Sequence, residues 1–367
     1  MKTCCVSILI AIATILCAPA QALNIVYLSP CKQTTQCTYW TQVQAHMQKA
    51  ANDLHVNLSI LYDQHDDNFR EQIAKMRQIE AMSPKPDYVI FTPLPGLISY
   101  KTLVKLESLK IPSLMISGEI PPNEVDSYKK PREKFKYWLG HIFGNNVQAG
   151  RRLMEALQTP QNESDTYSDT YSDTYVVALA GSKQHSESEN RIAGLKQVVA
   201  AGNTHLQQII PTDWTETDGF YKTTKLLTRF PNTNVIWTAG HRIAKGSASA
   251  IEALGRQSNI SIGTVNFTPQ TFAALQAGEL HVVVGGHSVT GALGLVLLFD
   301  HANKRDFAEI DNGVQFPLDF GLITRDKLDE TLLHFKAWRR QDFSSLSVFL
   351  NLQRTKHYFN VFPPKED

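Results

Sequence analysis

From Leu23 onward the chain alternates short apolar β runs with longer amphipathic runs of helical period, and it does so in two successive series. Strands separated by helix-length connections cannot close hairpins on one another, so they pair in parallel and the helices cover both sheet faces. The first series reads strand Leu23 to Leu28, helix Tyr39 to Leu54, strand Leu58 to Tyr62, helix Asn68 to Met82 and strand Tyr88 to Thr92. A helix to about Leu109, strand Ser113 to Ser117 and a β run Trp138 to Phe143, just before Gly144-Asn145-Asn146, complete it. The second series places strands at Val176 to Ala180, Leu206 to Pro211, Val235 to Ala239, Ile260 to Val265 and Val282 to Val284. Helices Glu187 to Ala201, Asp218 to Arg229, Ala244 to Leu254 and Gln270 to Ala277 lie between them. The expected fold class is α/β, with two doubly wound parallel-sheet lobes. Between the series, Ser164 to Tyr175 is the tetrapeptide Ser-Asp-Thr-Tyr three times over, polar and without apolar period, which reads as a solvated surface insertion.

The first twenty-two residues read as a secretory leader. Lys2 gives the positive end, Val6 to Leu16 the apolar run, and Ala20-Gln21-Ala22 the small-x-small cleavage pattern. Cleavage after Ala22 leaves 345 of the 367 residues, enough for two domains. No later apolar stretch reaches the roughly 20 residues of a membrane-spanning helix. Formal net charge is +1, so no strong field draws nucleic acid or a membrane surface. Cys4, Cys5 and Cys17 fall in the leader, leaving Cys31 and Cys37, which read as a disulfide in an oxidising compartment or else as two free thiols.

Two open α/β lobes present the carboxyl ends of their strands to each other, where ligands of such sheets bind, so the candidate site is an interlobe cleft. Three segments in order resemble the type I periplasmic binding proteins, the ribose-binding and galactose-binding kind. Arg191-Ile-Ala-Gly-Leu195 resembles that family's Arg-x-x-Gly-Phe, Ala239 to Gly246 its Asn-Asp-x-x-Ala-x-Gly turn, and Leu275-Gln-Ala-Gly-Glu-Leu280 its Gln-x-Gly segment. Tyr39-Trp40, Gln78 to Met82 and Asp87 to Thr92 are most similar to the branch of autoinducer-2-binding and trimethylamine-oxide-sensing proteins. The resemblance implies three passages between lobes, near Gly144-Asn145, Gly285-Gly286 and Pro317-Leu318, with helix Val289 to Asn303 returning to the first lobe. The N-terminal lobe is then 23–144 with 287–317, and the C-terminal lobe 145–286 with 318–367. It also implies a periplasmic monomer that binds a small molecule, needs no cofactor or metal, and hands its ligand to an ABC permease or its signal to a membrane sensor kinase or cyclase.

Candidate ligand residues follow from position and chemistry. Trp40 follows the first strand with Tyr39 and offers an aromatic face, unless it is a core residue of the first helix. A Cys31 to Cys37 bridge would staple this loop. Arg191 matches the arginine that the family uses on ligand and carries five fixed donors. At His241 and Arg242 this chain places donors where sugar-binding relatives carry an acid, so the ligand is expected to present acceptor oxygens, sugar-like or anionic, and a plain pentose or hexose is disfavoured. Asn266, Asn145 and Glu119 are secondary candidates, and Ser182, Glu189, His287 and Thr92 weaker ones; each has a plain turn or hinge reading beside the functional one. Departures from the autoinducer-binding pattern at Thr35, Cys37, Val265 and Gly285 prevent carrying over that ligand.

Enzyme chemistry lacks its signatures. No G-x-G-x-x-G follows a strand, the twelve histidines form no H-x-x-x-H pair, and Gly286-His-Ser-Val-Thr-Gly291 is one residue too long for a hydrolase elbow. A periplasmic hydrolase is the remaining, distant alternative.

Overall fold

A computed structural model describes residues 22–31, 38–64, 70–158, 173–202, 204–330, 332–333, 340–357 and 359. Leader residues 1–21, Thr35, Cys37 and most of the tetrapeptide insertion lie outside the described residues. The first sheet holds β1 (Asn24–Leu28), β2 (Asn57–Leu61), β3 (Tyr88–Phe91), β4 (Ser113–Ser117), β5 (Trp138–Gly144) and β11 (Gln315–Leu318), ordered β11-β5-β4-β3-β1-β2. The second holds β6 (Thr174–Ala180), β7 (Thr204–Pro211), β8 (Val235–Thr238), β9 (Ser261–Val265), β10 (Val282–Gly285) and β12 (Gly321–Thr324), ordered β12-β10-β9-β8-β6-β7. The pairs are parallel except β10 with β12. Central strands β3, β4, β8 and β10 are buried on both faces, and this is why they read as unbroken apolar runs and not as alternating ones.

Helices α1 (Thr38–Asp53), α2 (Glu71–Ala81), α3 (Ile98–Leu109) and the short α4 (Val125–Tyr128) serve the first sheet. The second is served by α5 (Asn146–Gln158), α6 (Ser186–Ala201), α7 (Glu216–Arg229), α8 (His241–Ala253) and α9 (Pro269–Ala277). Then α10 (Thr290–Ala302), buried at nearly every position, returns to pack on α1, β4 and β5, followed by the short α11 (Phe307–Ile310). Chain passages between the sheets follow β5, follow β10, and separate β11 from β12. Of the expected hinge glycines only Gly286 takes a positive φ, +107°. At Gly144 and Gly285 the missing Cβ serves packing, since a Cβ there would meet the rings of Phe320 and Phe267. Pro317 lies on the edge strand β11, where a missing N–H costs no ladder bond.

Helix α5 crosses α6 without intervening side chains. A Cβ on Gly150 would strike the Arg191 carbonyl, and one on Gly194 the Val147 carbonyl. Gly246 and Gly219 do the same for α7 against α8. The Gly in Arg191-Ile-Ala-Gly194 is thus a packing residue that seats its own arginine.

Three expectations need correction. Helix α5 and the short strands β11 and β12 were not among the elements read from the sequence, and β6 begins at Thr174, inside the last tetrapeptide, because Thr174 pairs with Thr204. The C-terminal segment does not belong to the second lobe throughout. Phe343 and Leu346 join the first lobe's core, and Asp53 accepts from the Phe343 N–H at 2.9 Å. Asp300 of α10, fully buried, accepts from the Ser347 hydroxyl, the Val348 N–H (2.8 Å) and His357 Nε2 (2.8 Å). His357 Nδ1 lies 2.6 Å from Asp311 Oδ2.

Burial alone would lower the His357 pKa, but the Asp300 and Asp311 carboxylates on its two ring nitrogens raise it. A histidine raised on folding contributes stability that is complete below the usual value of about 6.5 and is lost as pH rises through the folded value. Melting temperature should therefore fall with rising pH above neutrality. His357→Gln, which leaves two buried carboxylates uncompensated, should remove that slope and cost about 3–5 kcal/mol in chemical denaturation. A flat wild-type profile overturns the charged bridge.

Candidate ligand site

At the carboxyl ends of both sheets the loops line a cavity of about 260 Å3. The first lobe contributes Pro30 and Cys31 after β1, Tyr39 and Trp40 in the first turn of α1, Thr92 after β3 and Ser117 at the end of β4. From the second come Asn146, His185, Glu187, Arg191, Asp213, Trp214, Gly240, His241, Arg242 and Asn266, with His287 from the hinge. A larger open groove of about 830 Å3 runs along the cleft's outer edge past Arg70, Glu124, Lys183 and Glu189. Its walls are mostly exposed side chains, so the cavity with the more buried and aromatic walls is the candidate site.

The walls are aromatic. Tyr39 packs edge-on to Trp40 (5.0 Å between centroids) and stacks on His287 (4.8 Å), which lies against Phe320 (4.3 Å). Across the cavity Trp214, in the loop after β7, adopts φ +66° and lies over two glycines. Its ring occupies the space a Cβ on Gly181 would need and sits 3.1 Å from one on Gly240. Its Nε1 donates to His185 Nδ1 at 2.8 Å, and Thr212 Oγ1 accepts from its N–H. The side chain is therefore fixed as a flat plate.

Polar groups line the remainder. Arg191 is 4% exposed. Its Nε donates to Asn146 Oδ1 (2.8 Å) and its Nη1 to the Ala239 carbonyl (2.6 Å), while Nη2 has no hydrogen-bond partner among the described residues. Burial lowers its pKa, against the opposing pull of Glu187, Tyr39 and Glu119. His241 Nδ1 lies 3.1 Å from Asn266 Nδ2; as Asn266 donates, the ring's free proton sits on Nε2. Burial and then Arg242 push the His241 pKa down to about 4. His287 is likewise pushed well down by burial and Arg191, and its Nδ1 is buried with no hydrogen-bond partner among the described residues, where the Thr92 and Tyr39 hydroxyls have none of good geometry.

Sequence-based candidates divide as follows. Tyr39, Trp40, Arg191, His241, Arg242, Asn266, Thr92 and His287 meet at the cavity. Asn145 does not: its Oδ1 accepts from the Gln148 N–H and its Nδ2 reaches Asp319. Glu119 does not line it either, and its carboxylate holds the amides of Asn146 and Asn190. Ser182 Oγ accepts from the Gln184 N–H, and Glu189 lines the outer groove. Cys31 is buried and disulfide-bonded, while Cys37 lies outside the described residues. Glu187 and Asp213 bring carboxylates to the same cavity, so the donors at His241 and Arg242 stand beside acceptors from other elements. Trp214, Glu187, Asn146 and His185 were missed. Trp214 had the signal used for Trp40, an aromatic directly after a strand, and Glu187 stands one helical turn before Arg191.

The sequence matches the family described as periplasmic binding protein domain over residues 26–306. The chain belongs to this family. The ribose import binding protein of Salmonella typhimurium is 21% identical over 246 residues, which span 67% of this chain and 74% of that protein. A periplasmic sugar-binding protein from Pseudomonas fluorescens superposes with TM-score 0.77 at 24% identity, covering 92% of this chain and 97% of the other. An ABC transporter solute-binding protein from Actinobacillus succinogenes, with bound D-allose, gives 0.70 at 15%, covering 84% and 99%. These likenesses establish the two-lobed type I fold. Among the described residues no helix is long and apolar enough to cross a membrane, and no cluster of three or more His, Cys, Asp or Glu could hold a metal.

With a pKa near 4, the His241 imidazole should stay neutral from pH 8 to about 5 and titrate only below that, followed by NMR of its ring protons. A midpoint near the ordinary 6.5 would show a site open to water.

Proposed function

We propose that this periplasmic binding protein closes on a single sugar-like solute and presents it to an ABC importer. The observation that carries the reading is the cavity in which Trp40 and Trp214 come from opposite lobes, with Arg191, Glu187, Asp213 and Asn266 around them. Apolar ring faces suit the C–H faces of a sugar, and mixed donors and acceptors suit hydroxyls, which both give and take hydrogen bonds. At about 260 Å3 the cavity is below the roughly 300–1,000 Å3 of drug-sized sites, so it suits one small ring. The ribose import relative and the allose-bound neighbour support the class. A secretory leader at 1–22 is consistent with the periplasm. The moving bodies are taken as 23–144 with 287–317, joined by the C-terminal segment from Asp342, and 145–286 with 318–330.

The competing reading is a sensor's partner, after the likeness of Tyr39-Trp40 to the autoinducer-2-binding and trimethylamine-oxide-sensing branch. A thermal-shift screen separates the ligands: pentoses, hexoses, inositol and sugar acids against furanosyl borates and trimethylamine oxide. A ligand at 100 times its Kd stabilises by about 2.7 kcal/mol, since only the native state binds. A shift with a monosaccharide supports the proposal, and a shift only with a borate or amine oxide overturns it. With the active solute, Arg191→Ala should lose at least ten-fold in affinity, about 1.5–3 kcal/mol for one bond to a charged group. Trp214→Ala should lose a comparable amount, read by calorimetry.

A further inference from the structure

The Glu119 carboxylate stands in the loop after β4 of the first lobe, yet its hydrogen bonds go to the second. Its Oε2 accepts from Asn146 Nδ2 at 2.7 Å and from Asn190 Nδ2 at 2.8 Å. Its backbone carbonyl accepts from Ser186 Oγ at 2.6 Å. Asn146 opens α5, and Ser186 and Asn190 lie on α6, so one loop of the first lobe grips the adjacent starts of two helices of the second.

Asn146, 1% exposed, has its amide fully engaged. Nδ2 donates to Glu119 and to the Gly144 carbonyl (3.0 Å), and Oδ1 accepts from Arg191 Nε. Those partners leave only one orientation of the amide, because reversing it would set donors against a guanidinium. The guanidinium in turn lines the cavity.

We infer that Glu119 is an interlobe latch and positioning residue: by gripping Asn190 and Asn146 it holds the lobes together and, through Asn146, fixes Arg191 for the solute. The inference rests on the reading that the two lobes close on a solute. Opening the lobes removes Glu119 from both amides at once. Asn146 then keeps only the Gly144 carbonyl for its amine, and its hold on Arg191 loosens. Closure and the pose of the ligand-binding cation are thereby one event, so the site is completed only when the lobes meet. Both bonds are charge-assisted, which makes them stronger than amide pairs and sensitive to the charge on Glu119.

The test needs no solute. Nitroxide labels at Lys101→Cys on α3 and Lys196→Cys on α6, both exposed positions, report the lobe separation by pulsed electron spin resonance. Ligand-free wild type should show a short-distance population. Asn190→Asp sets a second carboxylate against Glu119 and should lower the closed-to-open ratio at least ~10-fold. Glu119→Gln, whose one amide oxygen can still accept from both amides but without the charge, should lower the ratio less than Asn190→Asp does. Asn190→Ala should open the lobes in the same direction with little change in melting temperature, which separates loss of the latch from loss of fold. An open-only wild type, unchanged distances in Asn190→Asp and Asn190→Ala, or a Glu119→Gln variant as open as Asn190→Asp overturns the latch. A solute screen in which no sugar binds overturns the sugar reading alone, and the distances decide the latch independently.

Discussion

A guanidinium taken out of water sets the terms for the centre of this molecule. Arg191 is almost wholly buried, and an unpaired buried cation costs several kcal/mol, so the surrounding chain must supply acceptors and negative charge. The sequence does this with small means. Gly150 and Gly194 let α6 lie on the backbone of α5, which brings Arg191 within reach of Asn146. Strand β8 ends so that the Ala239 carbonyl faces Nη1. Glu187 precedes Arg191 by four residues on the same helix face, and Glu119 faces it from the other lobe. No direct carboxylate partner neutralises the guanidinium among the described residues, and the side chain lines the cavity with its Nη2 unbonded among them.

Which parts of this could be read from the sequence follows from how local each cause is. Strands such as Tyr88–Phe91 and Val282–Gly285 declare themselves because two covered faces demand unbroken apolar residues. Strands β11 and β12 do not, being four residues each, one interrupted by Pro317, and stabilised by pairing with partners far away in sequence. Helix α5 was obscured because it opens on Asn and carries Gly150, a residue that reads as a break but is needed for the crossing with α6. For the site, residues immediately after strands were legible by position. Asn145 was chosen where Asn146 serves, and one residue on a helix turns the side chain by about 100°. The plate formed by Trp214 depends on a positive φ and on two glycines from other loops, neither of which spacing along the chain reveals.

The charge character of the cavity changed most on going from sequence to structure. His241 and Arg242 taken alone point to a ligand with acceptor oxygens, sugar-like or anionic, and away from a plain pentose or hexose. In the folded chain Glu187 and Asp213 join them, and His241 and His287 are kept neutral by burial. Two cations, two carboxylates and neutral imidazoles give a site with little net field but many directional groups. Such a site discriminates by the placement of a ligand's hydrogen-bonding groups, because a ligand lacking one leaves a buried group unpaired.

The passages between lobes explain how that geometry can coexist with an entrance. Gly144, Gly286 and the β11–β12 link lie together at one side of the cleft, and the C-terminal segment returns to the first lobe at Phe343. In a rotation about such a hinge, displacement grows with distance from the axis. His287, on the hinge segment itself and stacked against Phe320 and Tyr39, therefore moves least. Asn146 and Arg191 both belong to the second lobe, on helices in close backbone contact, while Glu119 belongs to the first. Trp40 and Trp214 are carried by opposite lobes. If the lobes close on a solute as proposed, Arg191 takes its final pose only as Glu119 meets Asn146 and Asn190.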